Sequence, residues 1–162
     1  MKRLFLLLVL LFSVPLCGCT PSGEDYFASF SGEFEAQIVG ELYGTEIAAR
    51  ICVRAPNENG VRAATLTFYA PQALCDTVLS RDEAGMLTLT SGKVTASGKA
   101  VEGYAPLLQL FPSEGQVHAV ELEDDRTRVV GEGFCITFSS DGMPILVEND
   151  AISARVLYFA QK

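Results

Sequence analysis

From Phe30 onward apolar and polar side chains alternate almost one for one, and this limits the possible folds more than any other feature of the chain. Phe34, Ala36 and Ile38 fall on one face of an extended segment, with Ser31, Glu33, Glu35, Gln37 and Val39 on the other. Period two is the signature of a strand with one face buried. The next segment repeats it: Ile47, Ala49, Ile51 and Val53 point one way, Glu46, Arg50, Cys52 and Arg54 the other. A turn centred on Tyr43-Gly44 sets Phe34 opposite Val53, Glu33 opposite Arg54 and Cys52 opposite Glu35, so both faces agree in register. After the turn cluster Pro56-Asn57-Glu58-Asn59-Gly60, residues Ala64, Leu66 and Phe68 point inward, and pairing sets Ile51 against Leu66. The first three strands are therefore a meander.

Pro71 to Cys75 breaks it. Shorter strands are expected at Thr77–Ser80 and Met86–Thr90, then at Lys93–Ala96 and Lys99–Glu102 around Ser97-Gly98. Ala105–Phe111 reads as the one helix: Pro106 lies early, where a helix tolerates it, and Pro112 ends it. Leu107, Leu108, Leu110 and Phe111 make it apolar on most sides, hence buried. Strands follow at Gln116–Glu123 and Thr127–Phe138, the latter with Phe134, Ile136 and Phe138 on one face. Gly131-Glu132-Gly133 within it reads as a bulge or tight bend. Ser140-Asp141-Gly142 turns the chain into Met143–Glu148, and Asn149-Asp150 into Ile152–Phe159, pairing Val147 with Ile152 and Ile145 with Ala154. A helix of about two turns cannot cover about ten strands. The expected fold is mainly β, a strongly curved antiparallel sheet or unclosed barrel wrapped over one short apolar helix.

The start of the chain is of another kind. Lys2 and Arg3 precede nine apolar residues, Leu4–Phe12. Even extended to Leu16 this run is short of the roughly 20 residues that span a bilayer. It ends in Leu16-Cys17-Gly18-Cys19, which resembles a bacterial lipobox, with Leu at −3, small residues before the cut and Cys after it. The resemblance implies cleavage before Cys19 and a diacylglycerol on its sulfur. Residues 1–18 are then a signal peptide, 19–29 a lipidated cysteine and polar tether, and 30–162 a single β-rich domain. The expected location is the bacterial envelope, lipid-anchored to the cell membrane or outer membrane. Loss of Lys2 and Arg3 takes the net charge from −8 to −10. An exported chain of that charge excludes nucleic acid as a partner and does not adhere electrostatically to anionic lipid. Its membrane attachment must come through Cys19.

Residues able to carry chemistry are sparse. Cys52, Cys75 and Cys135 show no metal spacing, and one disulfide plus a thiol or three thiols are both open. His118 is the only histidine and has no ligand-type residue at metal spacing. No G-x-S-x-G accompanies the serines. Glu121, Glu123, Asp124 and Asp125 lack the spacing of a calcium loop and read as a solvated turn. Arg50 and Arg54 could meet an anionic head group, but Glu33 and Glu46 are near enough to pair with them. No catalytic residue, metal or cofactor is expected, and the chain does not read as an enzyme.

Three stretches together resemble a family: the long meander Phe30–Tyr69, the leucine-rich Ala105–Phe111, and Asp141-Gly142-Met143-Pro144 running into Ile145-Leu146-Val147-Glu148. This pattern is similar to the LolA/LolB-type lipoprotein-carrier fold. The resemblance implies an unclosed barrel whose concave apolar face binds acyl chains or a partner's lipid. Phe34, Ile51, Leu66, Phe68, Leu107, Leu110, Phe134 and Ile136 would then line either the core or a pocket for a lipid or other apolar ligand. The alternative is an envelope module with a filled core that binds a protein on a sheet edge or outer face.

Overall fold

The computed structural model describes residues 23–162, so the leader and Cys19 lie outside the described residues. Eleven strands form one antiparallel sheet: β1 (Phe34–Leu42), β2 (Thr45–Pro56), β3 (Arg62–Ala70), β4 (Val78–Arg81), β5 (Leu87–Ser91), β6 (Val94–Ser97), β7 (Val117–Glu123), β8 (Arg126–Gly131), β9 (Phe134–Ser139), β10 (Pro144–Asn149) and β11 (Ile152–Gln161). Their spatial order is β6-β5-β4-β3-β2-β1-β11-β10-β9-β8-β7, and among the described residues the two edges do not meet. The unclosed antiparallel sheet expected from the alternation is therefore present.

Two meanders make this order. The first runs outward from β1 to β6, and the second runs inward from β7 to β11, which pairs antiparallel with β1. A register shift between Gln37 and Ile38 leaves Leu157 unpaired at this junction. Because β6 and β7 are opposite edges, the chain between them must cross the sheet. It crosses the apolar face, and that is why its leucines are buried. Val101, Leu107, Leu108, Leu110 and Phe111 all join the core cluster. The expected helix at Ala105–Phe111 takes the form of 3-10 turns over Glu102–Gln109. Pro106 inside it has no N–H to give, which favours short turns over a continuous α-helix.

The α-helix of the described residues lies elsewhere. α1 (Gly23–Ser31) occupies most of the segment expected to form a tether, and it buries Phe27 and Phe30 on the same apolar face. The Phe30 ring sits within 5.4 Å of Phe111, 5.6 Å of Phe159, and 6.0 Å of both Phe34 and Phe138, measured between centroids. A polar start (Gly23, Glu24, Asp25) masks the helical spacing of Tyr26, Phe27 and Phe30. The fold thus begins earlier than residue 30.

The register of the first hairpins is as the alternation requires: Phe34 faces Val53, Glu35 faces Cys52 and Ile51 faces Leu66. Three other expectations need correction. The segment Thr127–Phe138 is two strands, β8 and β9, joined at Glu132-Gly133 with Gly133 at φ +73°. A full reversal, not a bend, is what the positive φ there supports. Lys99–Glu102 is not a strand; β6 pairs with β5 through Ser91↔Val94, and 3-10 turns follow directly. In the last hairpin Val147 faces Ala154 rather than Ile152. There the Asn149 side-chain carbonyl accepts from the N–H groups of Ala151 (3.0 Å) and Ile152 (3.1 Å), building a longer turn. A shift by two residues keeps every side chain on its expected face.

Phe30 should therefore be a main determinant of stability. Phe30→Ala is expected to lower the unfolding free energy by about 3–5 kcal/mol in chemical denaturation. A loss below about 1 kcal/mol would mean that α1 is not docked.

Candidate functional site

The concave face is where a ligand is expected. Seven of the eight residues named for it, Phe34, Ile51, Leu66, Phe68, Leu107, Leu110 and Ile136, are no more than 1% exposed. They belong to one continuous core cluster that includes Phe27 and Phe30 from α1 and the crossing segment. These seven side chains pack against one another and against the chain's own plug.

Phe134 differs. It is half-buried, meets Phe27 edge-on at 5.6 Å, and borders an open groove of about 470 Å³ at the rim. Its ring lies over Gly131, where any side chain would collide with it. The Asn149 amide donates to the Pro106 carbonyl at 3.1 Å, which ties the groove's β10–β11 wall to the crossing segment. Glu114, Glu132 and Asp150 also line it. Three carboxylates make this groove a poor seat for the head of a fatty acid and a better one for a neutral or cationic group.

On the outer face, Arg50 pairs with Glu35 at 2.8 Å and Lys162 approaches the same carboxylate at 3.5 Å. The hydrogen bond from Arg50 is the main reason the Glu35 carboxyl lies below its ordinary value. Surface pairing is thus what Arg50 does, but with Glu35 and not with Glu33 or Glu46. Arg128 pairs with Glu121 at 2.9 Å across β7 and β8. The acidic run lies at the exposed β7–β8 turn, with Asp124 at φ +44°, and His118 is exposed on edge strand β7. Among the described residues no group of three or more His, Cys, Asp or Glu side chains could hold a metal ion.

One residue of consequence is absent from the expected set. Arg62 is 7% exposed, its guanidinium donating to the Gly32 and Arg54 carbonyls and lying 5.4 Å from the Phe34 ring centroid. It fastens the end of α1 to the sheet. The signal was available, since Arg62 has the inward parity of Ala64, Leu66 and Phe68.

No family model matches the chain, and no curated protein does. Solved structures with a similar fold include an uncharacterized conserved protein from Thermus thermophilus, at 11% identity and TM-score 0.53, covering 85% of this chain and 84% of that one. Others are MucB, at 13% identity and TM-score 0.47 over 85% of this chain and 57% of that one, and a LolA superfamily protein from Nitrosomonas europaea. The latter has 7% identity and TM-score 0.40, over 82% of this chain and 87% of that one. The chain spans little more than half the length of MucB. At 11% identity the likeness to the Thermus thermophilus protein is one of fold alone.

Among the described residues the three cysteines form no disulfide and lie in graded settings: Cys75 exposed, Cys52 half-buried on the outer face, Cys135 buried. Burial is the main cause that raises the Cys135 thiol's pKa, so both access and thiolate fraction disfavour its reaction. A chromogenic disulfide reagent on the folded, reduced protein should modify Cys75 first, Cys52 more slowly and Cys135 only on unfolding. Equal rates at Cys135 and Cys75 would contradict the packing of β9.

Proposed function

We propose that this protein is a non-enzymatic, lipid-anchored module of the bacterial envelope that binds a protein partner along a sheet edge, its concavity being filled by its own chain. The observation that carries this reading is the near-zero exposure of the seven concave-face residues. A site for an acyl chain needs apolar surface left vacant, and here α1 and the crossing segment occupy that face. The edge strand β7 supports the partner's placement. Leu122 on it is 78% exposed, and no residue of the strand is fully buried. An uncovered edge offers a row of free N–H and C=O groups to an added strand. Glu123 on β7 and Asp124 beyond it, which pair with no cation among the described residues, would favour a basic partner segment.

The Leu16-Cys17-Gly18-Cys19 pattern supports the anchor. With Cys19 lipidated, the span from Cys19 to Gly23 reaches at most about 14 Å, so α1 would sit at the bilayer surface. A second reading, a small apolar ligand, is favoured by the groove beside Phe134.

Two measurements test the proposal. Metabolic labelling with an alkyne fatty acid should mark the wild type and not Cys19→Ala; equal labelling would remove the anchor. The purified protein should show no saturable binding of an uncharged apolar dye such as N-phenyl-1-naphthylamine, whereas saturable binding abolished by Phe134→Trp would favour the ligand reading.

A further inference from the structure

At the rim of the sheet, Arg62 from the start of β3 and Arg81 from the end of β4 stand side by side at inward-facing positions. Arg81 donates through Nε to the Arg62 carbonyl at 2.8 Å. Both line a cavity of about 210 Å³ whose other walls include Val53, Leu108, Phe111 and Glu114. In a chain with twenty acidic residues, neither guanidinium forms an ion pair with a carboxylate among the described residues. That includes Glu114, the acidic side chain on the cavity's own lining. Arg62 uses Nε and Nη2 on backbone carbonyls, and the terminal nitrogens of Arg81 have no hydrogen-bond partner among the described residues.

Two cations in this position are an unbalanced arrangement. Each loses hydration by partial burial, and Arg81 adds repulsion to Arg62. Desolvated like charges are stable neighbours when a counter-charge lies between them. A guanidinium presents a fork of donors that matches two oxygens of a carboxylate or phosphate. Leu108, Phe111 and Val53 add apolar walls suited to a short hydrocarbon stem.

We propose that the cavity between Arg62 and Arg81 is an oxyanion-binding site that takes a carboxylate or phosphate group carried on a short apolar stem. It is separate from the β7 edge and holds or fails independently of any partner there. The site lies beside the Arg62–Gly32 hydrogen bond, so an anion bound in it also braces the end of α1.

The test titrates the full-length protein, held in a non-ionic maltoside detergent at low ionic strength, with inorganic phosphate, butyl phosphate and butyrate. Binding is followed through the arginine Nε–Hε signals in proton–nitrogen spectra. Saturable shifts confined to two arginines are expected. Arg81→Gln should weaken binding about tenfold or more, while Arg54→Gln, at an exposed position on β2, should leave it unchanged. Butyl phosphate binding more tightly than inorganic phosphate supports the stem, and equal binding overturns that part and leaves a site for a free oxyanion. Should Arg81→Gln fail to fold, Leu108→Trp fills the cavity while keeping both guanidinium groups, and it should also abolish binding. No saturable shift with any of the three probes, or undiminished binding in both variants, would overturn the site.

Discussion

An eleven-stranded sheet with one apolar face must keep that face out of water, and among the described residues no second sheet covers it. The chain fills the hollow from within, and the filling converges on the Phe30 ring. Its neighbours Phe34, Phe138 and Phe159 come from β1, β9 and β11, and Phe111 from the end of the crossing segment. Aromatic pairs at these separations add about 0.5–1.5 kcal/mol each beyond the area they bury. The contacts join both meanders, the α-helix and the crossing segment at one point. The strand order fits the same logic: β6 and β7 are opposite edges and neighbours in sequence, and the segment that connects them runs through the hollow.

How much of this was legible depended on how local the deciding interactions are. The β1–β2–β3 registers could be read because alternation and short turns fix them together: a slip by one residue would turn Phe34 and Ile51 to solvent. Alternation sets the last hairpin on the right face but two residues out, since the turn is set by one side chain, Asn149, holding two backbone N–H groups. The β8–β9 reversal was hidden because a glycine inside a strand pattern serves a bend or a hairpin equally well. The β1–β11 pairing joins segments more than a hundred residues apart, and alternation carries no information about which strands are neighbours.

The candidate site shows the same limit more sharply. Strand parity places Phe34, Ile51, Leu66, Phe68, Phe134 and Ile136 inward, and the all-round apolar character of the short helix does the same for Leu107 and Leu110; neither signal separates a packed core from a pocket. That distinction rests on what crosses the hollow, and the part played by Tyr26, Phe27 and Phe30 was concealed by the polar residues just before them. Arg62 was missed for a different reason. A charge at an inward position in a strand is a conflict, and conflicts of that kind point to a structural clasp or a ligand. Here the structure shows the clasp: donors to Gly32 and Arg54 and a ring beneath the guanidinium.

The central claim is that the protein's own helix occupies the concavity, and docking of α1 can be measured directly. A nine-residue helix is not stable alone in water, so protection of its amides reports packing and nothing else. Hydrogen–deuterium exchange, resolved by peptide, should find residues 23–31 protected to a degree comparable with β1 and β11. Exchange of that segment at free-peptide rates, beside a protected sheet, would mean that the hollow is open.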